Sequence, residues 1–354
     1  MISMTDYKDN CITKDTSIIS ALGKLDEAEY KILFVVDDED RVIASLTDGD
    51  IRRAILKGIQ LSAKAVDFGR IDPFTVLEGD KEAALEAFDK RRLDAIPVID
   101  SDKRITGLYV RDVKESRKRA TVSIPVVIMA GGKGTRLYPY TKVLPKPLIP
   151  IDDVPISERI IKSFAEMGCM DFNMVVNYKK NMIKSYFNEI EDGYDIHFYD
   201  EDEPLGTGGG LSLVKDYISE TFILTNCDIL ILADIAEIVH HHKENGNKAT
   251  MVCSLKSFEI PYGVVHFSEG GDIESFEEKP KMSFFTNTGY YILDKEVFDY
   301  IGENERIGMP DILDRMRTAG LKIGVYPISD NSWLDMGQFD SMDAMERRLR
   351  EIEE

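Results

Sequence analysis

The sequence has few cysteines and no long apolar segment. Its four cysteines, in 354 residues, are too far apart to form Cys-X-X-Cys pairs, so the sequence predicts neither a zinc knuckle nor a disulfide framework. No apolar run reaches the roughly 18 residues that a membrane-spanning helix needs, and the amino terminus is polar rather than a secretion signal. These absences predict a cytoplasmic protein without a membrane partner.

Basic residues are also in the minority, with 44 Lys and Arg against 64 Asp and Glu and a formal net charge of −20. An acidic surface repels a phosphate backbone, so a nucleic-acid partner is not expected. The exception is residues 116–151, which contain no acidic residue and seven basic ones, three of them at 117–119. This basic segment is suited to binding a small polyanion.

The basic segment contains a glycine-rich loop that follows an apolar run at 124–129. Glycines let backbone amides approach phosphate oxygens closely, and cations that reach a triphosphate from several sides neutralise it. Spacing excludes a dinucleotide-binding loop, which would need glycine where Leu137 stands, and a Walker A loop, which needs Lys-Ser or Lys-Thr. The candidate nucleotide-binding residues of this loop are Gly131, Gly132, Gly134, Thr135, Arg136 and Lys146.

Residues 131–150, GGKGTRLYPYTKVLPKPLIP, resemble the signature of the sugar-1-phosphate nucleotidyltransferases, GGxGTRLxPxTxxxPKPLxP, at every fixed position. The resemblance implies an enzyme that transfers a nucleoside monophosphate to a sugar-1-phosphate and releases pyrophosphate. It also implies catalytic roles for Arg136, Lys146 and Lys279, which would neutralise the phosphate groups.

Beyond the loop, apolar strand patterns alternate with amphipathic helix patterns. Together with the resemblance, they predict a doubly wound, Rossmann-like α/β domain with a mixed sheet over residues 124–354. Ligands of such sheets lie beyond the carboxyl ends of the strands. The strand candidates are 172–177, 221–226 and 249–255, and the helix candidates are 157–168 and 234–246.

Two aspartates in this domain are candidate metal ligands. Asp228 lies in TNCD, which resembles the family's NGD motif with Cys227 in place of glycine, and Asp335 lies in WLDMG, which resembles a W-x-D-x-G element. The resemblance implies that both hold Mg²⁺ as the cofactor. Two carboxylates plus phosphate oxygens suit that ion, which seldom has an all-protein site.

Three further motifs, YGVV, EEKP and NTGYY, resemble the part of the family that binds the sugar-phosphate. The resemblance implies that Lys279 binds the phosphate of the sugar and that Glu278 accepts a hydrogen bond from a sugar hydroxyl. Gly263 and Asn287 would also contact the sugar. Mannose-1-phosphate and glucosamine-1-phosphate both stay open as substrates.

The segment DEDEPLGTGGGL at 200–211 resembles the base-recognition loop of the family, in which Gly206 and Thr207 would pack against the base. Glu201 stands where uridylyl and thymidylyl members carry glutamine. A carboxylate can only accept hydrogen bonds, and guanine offers two adjacent N–H donors, so Glu201 favours GTP. The alternative is that residues 200–203 form a solvated acidic turn and the base is recognised elsewhere.

The amino-terminal part contains an internal duplication, because residues 34–51 align with residues 96–113 without a gap at an offset of 62 residues. Each copy reads as a strand, an acidic turn, a strand and a helix start. The duplication resembles a tandem CBS pair, an α/β module, and predicts a domain over 1–118 that is joined by a linker at 119–123.

The CBS resemblance implies a possible regulatory nucleotide at Thr47 and Asp50, with phosphate and ribose held at a helix start. The aligned positions in the second copy are Tyr109 and Asp112, so the short hydroxyl is missing there. Thr47 also suits a helix cap, and a structural or dimerising module is the alternative.

Taken together, the motifs predict a CBS-fused sugar-1-phosphate guanylyltransferase that uses GTP, a sugar-1-phosphate and Mg²⁺ and forms a homodimer. A glucose-1-phosphate thymidylyl- or uridylyltransferase is the alternative within the same class. A nucleotide sensor with a non-catalytic transferase-like domain is the alternative from another class.

Overall fold

The chain folds into two compact units, residues 1–118 and 119–354. Among the residues that the computed structural model describes, no helix is long and apolar enough to span a membrane. Asp112, the three basic residues at 117–119 and part of the predicted linker lie outside the described residues. The described residues are 2–28, 30–91, 93, 95–111, 121–190, 193–337 and 339–353.

The amino-terminal unit contains two four-stranded sheets that repeat one topology. In each sheet, the first two strands are parallel and the following pairs are antiparallel. The strand from the chain start therefore completes the second copy. In spatial order, the first sheet contains β2 (Cys11–Thr13), β3 (Ile32–Val36), β4 (Val42–Thr47) and β5 (Arg70–Ile71), and the second contains β6 (Val76–Leu77), β7 (Ala95–Ile99), β8 (Ile105–Arg111) and β1 (Ile2–Thr5).

The helix start predicted for the first copy is confirmed by the helix Asp48–Leu56, and the one predicted for the second copy lies outside the described residues. The first helix begins after Ser17, whose hydroxyl accepts a hydrogen bond from the N–H of Ser20. Its apolar side chains recur at helical spacing and are buried: Ile18, Ala21, Leu22 and Leu25. The helices in the described part of this unit are α1 (Ile18–Glu27), α2 (Asp48–Leu56) and α3 (Lys81–Arg91). One apolar cluster includes strands of both sheets, so the two copies pack on each other.

The structure corrects the repeat offset from 62 to 63 residues. Asp37 and Asp100 make the same turn, because each carboxylate accepts hydrogen bonds from the N–H groups two and four residues further on. The turn sets the register of the strands that it joins, so matching turns fix the offset at 63 residues, the distance from Asp37 to Asp100. Val110, rather than Tyr109, is therefore the counterpart of Thr47.

The carboxy-terminal unit is built on a mixed seven-stranded sheet, as predicted. The first four strands are parallel, the fifth is antiparallel to both of its neighbours, and the last two are parallel to each other. The spatial order is β13 (Asp195–Asp200), β12 (Asp171–Val176), β9 (Val126–Ala130), β14 (Phe222–Asn226), β19 (Lys281–Leu293), β16 (Ala249–Glu259) and β20 (Ile323–Ser329).

Helices cover both faces of this sheet, which confirms the doubly wound architecture. Val126 and Ile128 of β9 pack into one apolar layer, and Val127 between them packs into the other. The first layer contains residues of α4 and α7, and the second contains residues of α8. The helices are α4 (Ile156–Glu166), α5 (Lys180–Asn188), α6 (Gly206–Gly209), α7 (Ile235–Glu244), α8 (Met309–Thr318) and α9 (Phe339–Glu353).

Short antiparallel pairs of strands also occur among the described residues of this unit. The pairs are β10 (Pro150–Ile151) with β11 (Val154–Pro155), β15 (Ile229–Ile231) with β21 (Trp333–Asp335), and β17 (Val264–Phe267) with β18 (Ile273–Glu277). At the carboxyl edge of the main sheet, Gly131 directly follows β9 and Glu201 directly follows β13. Asp228 lies two residues after β14, so the predicted nucleotide-site residues share one edge.

Candidate active site

The glycine-rich loop folds back onto Lys146. Gly134 has a φ of 62°, and a Cβ there would lie 2.8 Å from Cγ2 of Thr141 and 3.1 Å from Cβ of Lys146. The hydroxyl of Thr141 donates a hydrogen bond to the Gly134 carbonyl at 3.1 Å. Glycine at 134 thus permits the close approach of loop and lysine. Gly132 is different, because no atom lies within 4 Å of its Cβ position and that side of the loop is open to a ligand.

Lys146 and Asp228 form an ion pair between Nζ and Oδ2, although 82 residues separate them in sequence. Lys146 begins a 3-10 turn, Lys146–Leu148, and Asp228 follows the buried strand β14. The two side chains are only 12% and 14% exposed, so the pair is largely shielded from water. The structure therefore joins the predicted phosphate-binding lysine to one of the predicted metal ligands.

Asp335 lies beside this pair. Ile229 pairs with Asp335 in the β15–β21 ladder, and the N–H of Met336 donates to the Asp228 carbonyl at 2.9 Å. Burial, and then the neighbouring Asp228 carboxylate, raise the pKa of Asp335, whereas the cations of Lys146 and Arg136 oppose that rise. The two predicted metal ligands are therefore neighbours at the active edge.

Arg136 reaches the same place from the glycine-rich loop. A Cβ on Gly337 would lie 3.0 Å from Oδ2 of Asp335 and 3.4 Å from Nη1 of Arg136, so glycine lets both groups approach without crowding. Thr135 and Arg136 are exposed residues of a 3-10 turn, Thr135–Leu137, whose Leu137 is buried. Two cations of the glycine-rich loop and two carboxylates from two other segments thus converge.

The residues at this edge fit a magnesium ion. Within the described part of the chain, no group of three or more His, Cys, Asp or Glu side chains could hold a metal by itself. Asp228 and Asp335 supply two carboxylates, and an ion held there would complete its coordination with water and phosphate oxygens. That donor set is typical of Mg²⁺ bound together with a nucleotide.

Glu201 is buried rather than part of a solvated turn, and its side chain is 5% exposed. Its Oε1 accepts a hydrogen bond from the N–H of Leu205 at 3.0 Å, and its Oε2 lies 2.5 Å from where a Cβ on Gly131 would be. Burial raises the pKa of Glu201, partly opposed by the Leu205 N–H. Asp200 is paired with Lys180 and Lys184 on α5.

Gly131 thus makes room for the carboxylate of Glu201, which connects the glycine-rich loop to the predicted base-recognition segment. Gly206 has a φ of 83° and packs against the Ile307 carbonyl, 2.8 Å from its Cβ position. The hydroxyl of Thr207 accepts a hydrogen bond from the N–H of Met309 at 3.4 Å. Gly206 and Thr207 are themselves exposed, next to the start of α8 at Met309.

Gly263 and Glu278, two of the predicted sugar-site residues, flank the β17–β18 pair. Asn287 lies on β19, which pairs with β14. Oε2 of Glu278 lies 3.1 Å from the Cβ position of Gly263, so these two belong together. Lys279 is exposed in the turn before β19 and has a φ of 47°. Asn287 donates to the hydroxyl of Tyr291 at 2.6 Å, and its Oδ1 accepts from the N–H of Gly289 at 2.9 Å.

Several residues that support the site were not identified from the sequence. Asn226 packs its amide against Gly289, which links the NTGYY motif to the strand that carries Asp228. Asn177 donates to the Glu201 carbonyl at 2.7 Å, and Tyr178 donates to the Thr141 carbonyl at 3.0 Å. Lys179 donates to the carbonyls of residues 142 and 143. For residues 177–179, the position just after β12 was the available signal, because that strand ends at the active edge.

Comparison with known proteins agrees with this geometry. The sequence profile described as nucleotidyl transferase matches residues 125–351, nearly all of the carboxy-terminal unit. The chain belongs to the nucleotidyl transferase family. A profile of the CBS domain matches residues 4–57, the first copy of the amino-terminal repeat.

Two curated proteins that are similar to this nucleotidyl transferase have names that specify a sugar-1-phosphate substrate. The protein named "Probable mannose-1-phosphate guanylyltransferase 3" of Oryza sativa subsp. japonica is 32% identical over 222 residues, which cover 60% of this chain and 61% of that protein. The UTP–glucose-1-phosphate uridylyltransferase of Synechocystis sp. is 31% identical over 233 residues, 60% of each chain. This chain therefore spans about 60% of the length of these curated relatives.

A solved structure shows the same fold. HddC from Yersinia pseudotuberculosis superposes with a TM-score of 0.51 at 23% identity, covering 64% of this chain and 99% of that one. At this identity the likeness concerns the fold of the nucleotidyl transferase unit.

In the CBS-matching unit of this nucleotidyl transferase, Thr47 and Asp50 form a capping box at the start of α2. The Thr47 hydroxyl accepts from the N–H of Asp50 at 3.3 Å, and the carboxylate of Asp50 accepts from the Thr47 N–H at 2.9 Å. Asp50 also pairs with Arg53. Both predicted ligand groups are thus engaged in capping their own helix.

Proposed function

We propose that the chain is a Mg²⁺-dependent sugar-1-phosphate guanylyltransferase, which transfers GMP from GTP to a hexose- or hexosamine-1-phosphate. The observation that carries the proposal is the convergence of Arg136, Lys146, Asp228 and Asp335 at the carboxyl edge of the sheet. Two cations beside two carboxylates are what a triphosphate and its divalent ion require. The NTGYY motif lies on β19, which pairs with β14, and the other two sugar motifs lie at the β17–β18 pair and in the turn before β19. Together they would bring the second substrate to the same edge.

In the proposed reaction, a phosphate oxygen of the sugar-1-phosphate attacks the α-phosphorus of GTP. A new oxygen–phosphorus bond forms as the bond from the α-phosphorus to the bridging oxygen breaks, and pyrophosphate leaves with the electron pair. Because the attacking phosphate is already ionised, positioning and charge neutralisation account for catalysis. Arg136 would stabilise the leaving pyrophosphate, and Lys146 and Lys279 would bring the two anions together.

Mg²⁺, held by Asp228 and Asp335, would supply further positive charge at the reacting phosphates. Asn287 and Glu278 would hold the sugar, and the loop residues Gly131, Gly132, Gly134 and Thr135 would lie along the triphosphate. The open space beside Gly132 supports this position for the phosphates.

The preference for GTP rests on Glu201 and on the names of the relatives. A carboxylate oxygen accepts two hydrogen bonds, so Oε1 of Glu201 retains one acceptor position beside its bond to Leu205. Burial would strengthen hydrogen bonds from the N1–H and N2–H of guanine. A uridylyltransferase is the second candidate, because a relative with that name is 31% identical.

The proposal is tested by measuring pyrophosphate release from purified full-length enzyme. GTP, UTP, dTTP, ATP and CTP are each combined with mannose-, glucosamine- and glucose-1-phosphate. We expect GTP to give a kcat/KM at least tenfold above UTP and dTTP with its best sugar. A tenfold preference for UTP or dTTP would reject the guanylyl assignment and favour the second candidate.

We also propose that the enzyme works in the cytoplasm as a homodimer, because CBS-like pairs commonly associate with each other. Light scattering on the purified chain tests the dimer, and a monomer at micromolar concentration would contradict it. A regulatory nucleotide at Thr47 and Asp50 stays a prediction, which a thermal-shift screen with adenine and guanine nucleotides can test.

A further inference from the structure

Four charged groups at the active edge neutralise one another in the free enzyme. Lys146 contacts Asp228 directly, and Asp335 interacts electrostatically with Lys146 and Arg136. The two cations come from the glycine-rich loop, the two carboxylates come from two other segments, and the four formal charges sum to zero. The carboxylates that would hold the metal are therefore already partnered by the cations that would bind the triphosphate.

The contact between Lys146 and Asp228 would place an ammonium group directly beside any divalent ion on the same oxygen. Nζ of Lys146 bonds to Oδ2 of Asp228, and both side chains are more than four-fifths buried. An ion bound to Oδ2 would stand next to the ammonium, and water screens that repulsion poorly in such a place. Lys146 and the metal thus compete for Asp228.

The side chain of Lys146 has an alternative position, towards a triphosphate on the glycine-rich loop. Its Cβ packs against Gly134 of the glycine-rich loop, and its four-carbon stem is flexible. A triphosphate on the open side of Gly132 would attract the ammonium away from Asp228. Arg136 could likewise exchange Asp335 for a phosphate group.

We propose that Lys146 occupies the metal position of the free enzyme and leaves it when a nucleoside triphosphate binds. The inference rests on the proposed function, because it takes Asp228 as a metal ligand and the loop as a triphosphate site. Its consequence is that free enzyme binds a divalent ion weakly and that metal and nucleotide promote each other's binding. By thermodynamic linkage, each ligand raises the affinity of the other by the same factor.

The test is a titration of full-length enzyme with Mn²⁺, followed by electron paramagnetic resonance of the free ion, without nucleotide or sugar. We expect Lys146→Met to bind Mn²⁺ at least tenfold more tightly than the unmodified enzyme. Lys146→Arg keeps the cation and should leave the affinity within twofold, as should Lys142→Met, a matched change in the same loop. Adding Asp228→Asn to Lys146→Met should abolish the gain.

Unchanged Mn²⁺ affinity in folded Lys146→Met would overturn the proposal. Should that variant unfold, Lys146→Gln provides the same comparison with a polar side chain, and an unchanged affinity there has the same meaning. Because the titration contains no nucleotide, a wrong base or sugar assignment does not affect it. Failure of the guanylyl assignment and failure of this inference are therefore distinguishable.

Discussion

The two units use the same kind of polar residue at the end of a strand in opposite ways. In the amino-terminal unit, Thr47 and Asp50 follow β4 and bond to each other, within three residues of sequence. In the carboxy-terminal unit, Asp228 follows β14 and its carboxylate contacts Lys146, 82 residues away. A polar group that caps its own helix stabilises the fold, whereas one that finds only distant charged partners remains exchangeable and can bind a ligand.

The strongest test of this comparison is Asp228→Asn. The amide keeps the size of the side chain but loses the charge that would hold Mg²⁺, so we expect kcat to fall at least about a hundredfold. The melting temperature should also fall, because the substitution leaves the largely buried Lys146 without its partner, so activity is compared at a temperature where both proteins are folded. Pyrophosphate release and a thermal melt measure both quantities, with the exposed Asp299→Asn as the control. Activity within fivefold of the unmodified enzyme would remove Asp228 from the mechanism.

Base preference gives the next largest expected effect. Glu201→Gln replaces one acceptor by a donor, so it should lower the ratio of kcat/KM for GTP to that for UTP by roughly tenfold or more, about 1.4 kcal/mol. Glu203→Gln, at an exposed neighbouring position, should leave the ratio unchanged. Equal ratios in the two variants would show that the base is recognised elsewhere.

We expect the thermal stability of the protein to depend on pH through a second long-range network, at the opposite edge of the sheet. His242 is buried, with Nδ1 2.9 Å from Thr250 Oγ1 and Nε2 3.2 Å from Asp294 Oδ1. Burial lowers the pKa of His242. The Asp294 carboxylate opposes this decrease, and Lys248, which pairs with Asp294, adds to it. The folded state therefore favours the neutral ring. The contribution of His242 to the free energy of unfolding is complete above a pH of about 6.5 and is lost as the pH falls.

We therefore expect the melting temperature of the unmodified protein to fall by a few degrees more between pH 7.5 and 5.5 than that of His242→Gln, which cannot titrate there. His240→Gln, at a side chain 75% exposed on the same helix, is the matched control and should keep the full pH dependence. Identical pH profiles for the unmodified protein and His242→Gln would contradict the linkage.

The smallest effect is expected from removing the side-chain cap of α2. Thr47→Ala removes the hydroxyl of the capping box and should destabilise α2 by about 1 kcal/mol. Hydrogen exchange of amides in 48–56 should quicken roughly fivefold, while kcat without effector stays within twofold. Thr47→Ser retains the hydroxyl and should exchange at the original rate. A hundredfold loss of activity in Thr47→Ala would break the contrast between the two units.

Much of the fold could be predicted from the sequence, because hydrophobic periodicity and the residues that begin and end helices and strands act locally. The buried positions of α1 recur at helical spacing, and the strands predicted at 172–177 and 221–226 lie within a residue or so of β12 and β14. The repeat was also visible, but its offset was wrong by one residue. Only strand pairing and turn geometry fixed that register, because they depend on partners outside the aligned segment.

The sequence by itself determined the family, through the motif at 131–150, and the chemistry that each motif residue could supply. Tertiary structure decided which of those residues meet: it joined Lys146 to Asp228, placed Arg136 beside Asp335, and buried Glu201 against Gly131. The physical reason is that residue types set local preferences and charges, whereas contacts between strand ends depend on the order of strands in the sheet.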